Sequence, residues 1–260
     1  MKPAAVPDLS PHRVGSVAYL NSVPLTWGAE AQVRFDTPAR LAALLQADAL
    51  DAALVSVLEV LRHDRYEVLD GISIASRGEV RSVLLAHRKP LSELREVHCD
   101  PASLTSIGLL RVLLAERGVR PLFRPLSDYR AVADHDAVLL IGDPALKFLA
   151  APGEHRVWDL GAAWRELTGL PFVYAVWALR RGVTDAAWRA RLRALCVAGL
   201  ARREEVIARQ PPAEQAACRD YLTRNIRYEL GPEEKAGLRR FAELHTRHTG
   251  EPLHPLSFVR

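Results

Sequence analysis

The apolar and polar positions of this chain switch between two periods. Short apolar runs, "RVGSVAY" (13–19), "QVRFDT" (32–37) and "DAALVSV" (51–57), are each bounded by polar or turn residues, which predicts three strands. Between the second and third, Leu41, Leu44 and Leu45 recur near the 3.6-residue period, which predicts a helix over 37–50. Thr37 is placed to cap that helix and Pro38 to open it. "PLTWGA" reads as a short helix opening on Pro24, and "LEVLRHD" as a short helical stretch after the third strand. Strand, helix, strand, helix, strand is the order of a parallel α/β sheet.

The alternation then breaks. "YEVLDGISIASRGEVRSVLLAHRKP" reads as two successive strands with "SRGE" as the turn, and "VRSVLLAHR" as a crossing into another lobe. "REVHCD" is a strand, and "SLTSIGLLRVLLAERG" a long amphipathic helix closed by Gly118. "PLFRPL", "AVLLIGD" and "RVWDLG" extend this second lobe, and the aromatic strand "FVYAVWALRR" returns to the first. From Thr184 onward only helices are expected, with Trp188, Leu192, Leu195 and Cys196 on one face. The expected architecture is two α/β lobes around a central cleft with a helical C-terminal tail. Lobe 1 is residues 1–88 plus 178–260, and lobe 2 is 89–177. Two crossings make a hinge, and hinged lobes close on small ligands.

Composition narrows the class. Of 35 cationic residues only Lys2, Lys89, Lys147 and Lys235 are lysines, but the arginines are dispersed among 31 acids. Without a basic-aromatic cluster, this does not point to nucleic acid. "MKPAAVPDLSPH" holds no apolar run of signal-peptide length, and no stretch reaches the ~18 apolar residues of a membrane helix. Cys99, Cys196 and Cys218 are odd in number and far apart, so neither a disulfide framework nor a metal pattern is expected. The expectation is a cytoplasmic protein with reduced thiols, no membrane partner and no metal. The sequence leaves its oligomeric state, including a homodimer, open.

Candidate chemistry collects at predicted strand ends and helix starts. Ser103, Thr105 and Ser106 stand at the start of the long helix, where unpaired N–H groups and three hydroxyls suit a carboxylate or phosphate. One of them is enough for an ordinary cap. Asp143 follows a buried strand in "LLIGDPALKF" and reads either as a cleft acid or as the cap of a helix starting at Pro144. Ser56 ends the third strand; with Glu59 it resembles a capping box, and it also faces the expected cleft. Ser82, in the crossing strand, reads either as a cleft residue or as a tolerated small one. Tyr19, Asn21 and Ser22 crowd the corner before Pro24, where Tyr19 fits both a pocket wall and core packing. There is no G-x-S-x-G, P-loop or G-x-G-x-x-G, and His245, His248 and His254 lack the companions of a metal set.

The ordered set "RVGSVAYLNSVPL", "DAALVSVLE", "RSVLL", "SLTS", "IGDPAL" and "DLGAAWRELTGLPFVYAVW" resembles the chorismate dehydratases of the futalosine route to menaquinone, the MqnA type. The resemblance covers roughly 13–260, and its most specific parts are the Tyr-Leu-Asn-Ser corner and the last block. The related 1,4-dihydroxy-6-naphthoate synthases carry a Pro-Asn-Asp-Thr type corner instead. The resemblance implies a type II periplasmic-binding-protein-like fold, a lyase without cofactor, and chorismate as small-molecule substrate. It implies active-site roles for Asn21 and Ser82, and Tyr19, Ser22, Ser56, Ser103, Thr105, Ser106 and Asp143 are the expected substrate contacts. It further implies that the substrate's own enolpyruvyl carboxylate takes the ring proton. The alternative is a non-catalytic solute-binding protein on the same scaffold, which normally carries an export signal or lipid-anchored cysteine.

Overall fold

The alternating first third of the chain folds as its pattern predicts. The structure, a computed structural model, describes residues 6–100, 104–126 and 128–260. β1 (Val14–Ser16), α1 (Val23–Thr26), β2 (Val33–Phe35), α2 (Pro38–Gln46), β3 (Ala52–Ser56), α3 (Val57–Arg62) and β4 (Tyr66–Ser76) come first. β1 lies between β2 and β3, parallel to both. The α2 cap forms as expected: Thr37 Oγ1 accepts from the Arg40 N–H at 3.3 Å, with Pro38 in the first turn.

The second lobe holds β5 (Val83–His87), β6 (Glu96–Cys99), α4 (Leu104–Ala115), β7 (Leu122–Pro125), β8 (Ala137–Ile141), α5 (Gly142–Ala150), β9 (Arg156–Asp159) and α6 (Leu160–Thr168). Its sheet runs β7-β6-β8-β5-β9. The chain returns through β10 (Phe172–Arg180) and continues as α7 (Ala186–Ala201), α8 (Arg203–Ala208), α9 (Gln215–Asp220), β11 (Arg227–Leu230), α10 (Pro232–Thr249) and β12 (Phe258–Val259). The first sheet has the order β11-β4-β10-β3-β1-β2, with β12 also on β4.

Three expectations change. β5 pairs with β8 and β9, so the first crossing lies between Ser76 and Val83 rather than after 88. All of β10 pairs with β3 and β4, so the return is complete at Phe172 rather than at 178. The tail, expected to be helical throughout, adds β11 and β12 to the edge of the first sheet. The physical reason is common to all three: a ladder partner decides which sheet a strand joins, and apolar runs do not specify partners.

One apolar cluster spans the base of both lobes, with Trp164, Trp177, Trp188, Phe172 and Phe241 fully buried. The expected α7 face, Trp188, Leu192, Leu195 and Cys196, is buried in it. Asp51 ties strand ends together: it accepts from Arg13 Nε at 3.0 Å and from Arg180 at 3.0 Å. The Arg13 guanidinium holds its carboxyl down to about 2. All three cysteines are buried and free, and among the described residues no helix is long and apolar enough to cross a membrane.

Candidate active site in the interlobe cleft

The cleft between the sheets encloses about 660 Å³, part of it open to solvent. Tyr19, Asn21, Ser56, Ser82, Thr105 and Ser106 all line it. Six of the nine candidate residues therefore converge, from four separate parts of the chain. Ser103 lies outside the described residues.

The corner after β1 divides its polar side chains. Ser22 is fully buried, and its hydroxyl faces the carbonyls of Val17 (2.6 Å) and Tyr19 (2.7 Å), to one of which it donates. It is absent from the cleft wall, so the expected substrate contact at Ser22 is instead a turn lock. That lock turns Asn21 outward. The Asn21 backbone carbonyl accepts from the Tyr228 hydroxyl at 3.0 Å, and the residue lines the cleft.

Ser56 does not cap α3. Its hydroxyl meets the Thr105 hydroxyl and accepts from the Thr105 N–H at 3.1 Å, while Thr105 Oγ1 accepts from the Leu58 N–H at 3.1 Å. Glu59 turns away to accept from Gln46 Nε2 at 2.8 Å. The expected capping box is replaced by a clasp between lobes: β3 and α3 belong to one sheet's lobe, α4 to the other's. Tertiary partners outcompete the local cap because the hydroxyl at a strand end reaches the next lobe as easily as its own helix.

Asp143 also acts across the cleft. α5 begins at Gly142, not at Pro144, and Asp143 Oδ1 accepts from the Leu20 N–H at 3.1 Å. The expected cap is therefore an interlobe tie. Burial pushes its carboxyl above the usual range, opposed by the Leu20 N–H and by Lys147. The Tyr19 ring packs on Gly142, where an added Cβ would lie 3.0 Å from the ring, and Gly142 holds φ at +60°. Burial raises the Tyr19 phenol, and the carboxylates of Asp100 and Asp143 add to the rise.

Ser82 sits in the first crossing, 1 % exposed, and its carbonyl accepts from the Gly142 N–H at 2.8 Å. The crossing is held by Asp159, which accepts from the Val80 N–H at 3.1 Å and the Arg81 N–H at 2.7 Å while capping α6 through Ala162 at 2.9 Å. Arg81 holds φ at +62°, a left-handed conformation that is unusual for arginine and persists because its surroundings define it.

Three contributors were not singled out from the sequence. Tyr174 lines the cleft from β10, its hydroxyl 3.1 Å from Ser76 Oγ. The period-2 alternation of "FVYAVW" was the available signal. Tyr221, 2 % exposed on a π-helical turn at Tyr221–Asn225, brings its hydroxyl within hydrogen-bonding reach of Ser82 and Asn21. Burial raises its phenol despite those two partners. Asp159 is the third; an aspartate opening the helical run of "DLGAAWRELTG" was its local signal, whereas Tyr221 has none. No arginine or lysine lines the cleft among the described residues.

Fold and site together define a two-lobed α/β protein of the periplasmic-binding-protein type whose cleft is lined by hydroxyls and one amide. The chain belongs to the menaquinone biosynthesis family, whose model (VitK2_biosynth) matches residues 12–247. It is 35% identical to a chorismate dehydratase of Thermus thermophilus over 90% of this chain and 95% of that one. It is 34% identical to a chorismate dehydratase of Campylobacter jejuni over 60% of this chain and 58% of that one. Among solved structures, protein AF1704 of Archaeoglobus fulgidus superposes with TM-score 0.72 at 16% identity, covering 92% of this chain and 97% of that one. The alkanesulfonate-binding protein SsuA of Xanthomonas axonopodis, bound to MOPS, superposes with TM-score 0.67 at 14% identity, covering 93% and 94%. The last two show the fold alone.

Proposed function

We propose that the protein is a hydro-lyase that removes water from chorismate to give 3-[(1-carboxyvinyl)oxy]benzoate. The reading is carried by one coincidence: Asn21, Ser56, Ser82, Thr105 and Ser106 share a cleft without cations among the described residues, in a chain 35% identical to a chorismate dehydratase over 90% of its length.

The reaction breaks a ring C–H bond beside the enol ether and the C–O bond of the neighbouring ring hydroxyl. The ring becomes aromatic, so the overall step runs downhill, and the barrier is proton removal and hydroxide departure. Chorismate brings two carboxylates into the cleft. Neutral donors receive them: Ser106 and the first turn of α4 for one, Asn21 and Ser82 for the other. A guanidinium beside a carboxylate would lower its pKa and weaken it as a base. A carboxylate held only by hydroxyl and amide groups escapes the added pull of a full positive charge and keeps more of its basicity. The enolpyruvyl carboxylate can then take the ring proton and pass it to the departing hydroxide, which leaves as water. The protein's part is orientation and a preorganised polar wall, which account for large rate effects when the reacting atoms are already close. Asp143, engaged with the Leu20 N–H, serves to hold the two lobes in register.

The test is incubation of the purified protein with chorismate, followed by chromatography and mass spectrometry. The expected product is lighter by one water and has an aromatic absorbance. Unchanged chorismate overturns the reading; tight binding without turnover replaces it with solute binding.

A further inference from the structure

A second cavity, of about 670 Å³ including its open mouth, adjoins the cleft. It meets a different stripe of α4: Leu104, Ile107, Gly108 and Arg111 line it, whereas Thr105 and Ser106 face the cleft. Leu58 and Arg62 of α3 and His245 of α10 close it from the first lobe. Phe123 and Arg124 of β7, with Cys99 of β6, close it from the second.

Its electrostatics are the reverse of the cleft's. Three guanidinium groups stand on its wall, and the lining residues include no carboxylate, although two of the three are paired from outside it. Arg62 is bound by Glu251 at 2.6 and 3.0 Å, and Arg124 by Glu96 at 3.1 Å. Among the described residues, no carboxylate lies within ion-pair distance of Arg111, whose guanidinium rests 4.7 Å over the Phe123 ring. Burial pushes the Cys99 thiol up to about 11, so it stays protonated and adds no negative charge. His245 is 2 % exposed, and burial lowers its pKa against the opposing charge of Glu251, which favours the neutral ring. One planar cation is thus stacked on an aromatic face, without an ion pair among the described residues and with Glu251 near enough to feel its charge, beside the apolar side chains of Leu58 and Ile107.

We propose that this cavity is a second ligand site, built for a small carboxylate with a flat apolar body. The Arg111 fork matches a carboxylate in its own plane, and stacking on Phe123 fixes the fork's orientation. The body of the ligand lies against Phe123, Ile107 and Leu58. Because α3 and α10 belong to one lobe and α4 and β7 to the other, an occupant touches both, and its affinity depends on how the lobes stand. The proposal is independent of the reaction assigned to the cleft.

The experiment is calorimetric titration of benzoate into the wild-type protein and the Arg111→Gln, Arg111→Lys and Ser82→Ala variants, with inorganic phosphate as a charge-only competitor. Arg111 is exposed, so its variants should keep the fold, and a melting curve checks this. Benzoate is expected to bind the wild type, to bind Arg111→Gln about tenfold or more weakly, and to bind Ser82→Ala as it binds the wild type. Arg111→Lys, which keeps the charge but loses the fork, should fall between. Equimolar phosphate should leave benzoate affinity unchanged. The proposal is overturned by absence of benzoate binding, by equal binding to wild type and Arg111→Gln, by loss of binding in Ser82→Ala, or by displacement with phosphate. Chorismate turnover by Arg111→Gln should equal that of the wild type. If no protein in the set turns over chorismate, the reading of the cleft fails while the benzoate titration still decides this one.

Discussion

The cleft and the cavity beside it share the Leu104 wall of α4 and treat charge in opposite ways. The cleft is lined by hydroxyls and an amide that other parts of the chain orient: Ser56 with Thr105, Asn21 beside Tyr221 and Tyr228. The neighbouring cavity carries three arginines, one of them without a carboxylate partner among the described residues. The difference teaches what each is suited to do. A guanidinium holds a carboxylate tightly and lowers its basicity, which serves recognition. Neutral donors hold it more loosely and lower its basicity less, which leaves it better able to accept a proton.

The comparison can be broken most sharply at Asn21. Asn21→Ala should lower turnover of chorismate by about 100-fold or more while the melting temperature stays within a few degrees, since oriented donors of this kind act on the transition state. Full turnover in that variant would remove Asn21 from the catalytic wall. Thr105→Val comes next. It strips the acceptor from the Leu58 N–H and the partner from Ser56, so urea unfolding should show a loss of about 1–3 kcal/mol, accompanied by weaker turnover. Wild-type stability there would mean that the clasp between the lobes contributes nothing. The smallest effect is expected at Gly142→Ala, where φ is +60° and the Tyr19 ring is 3.0 Å from the added Cβ. A cost of about 1–2 kcal/mol from the left-handed backbone should appear in the same unfolding assay. No change would show that the backbone relaxes out of the left-handed region as well as that the ring moves aside.

Much of the fold was legible from local pattern. The strands near residues 14, 33 and 52, the Thr37–Pro38 helix start and the buried face of α7 all formed where periodicity placed them. Local signals failed where two readings shared one residue type. Ser56 with Glu59 has the spacing of a capping box, and Asp143 before Pro144 that of a helix cap, yet both oxygens go to the opposite lobe. Ser22 and Asn21 are adjacent and both polar, but only the backbone path after β1 sends one inward and the other to the cleft. Tyr221 was invisible for another reason: it reaches the site from a tail segment that reads as an ordinary helix.

The sequence by itself determined the two-lobed α/β class, because apolar periodicity is a local property that burial enforces element by element. It also determined the inventory of hydroxyl and amide groups from which the cleft is made. Only the tertiary structure decided where the chain crosses, since β5 and β10 take their sheets from distant ladder partners. Only it decided which of those polar groups face the cleft and which lock turns or clasp lobes, because a hydroxyl takes whichever buried partner the folded chain brings within 3 Å or so of it, near in sequence or far.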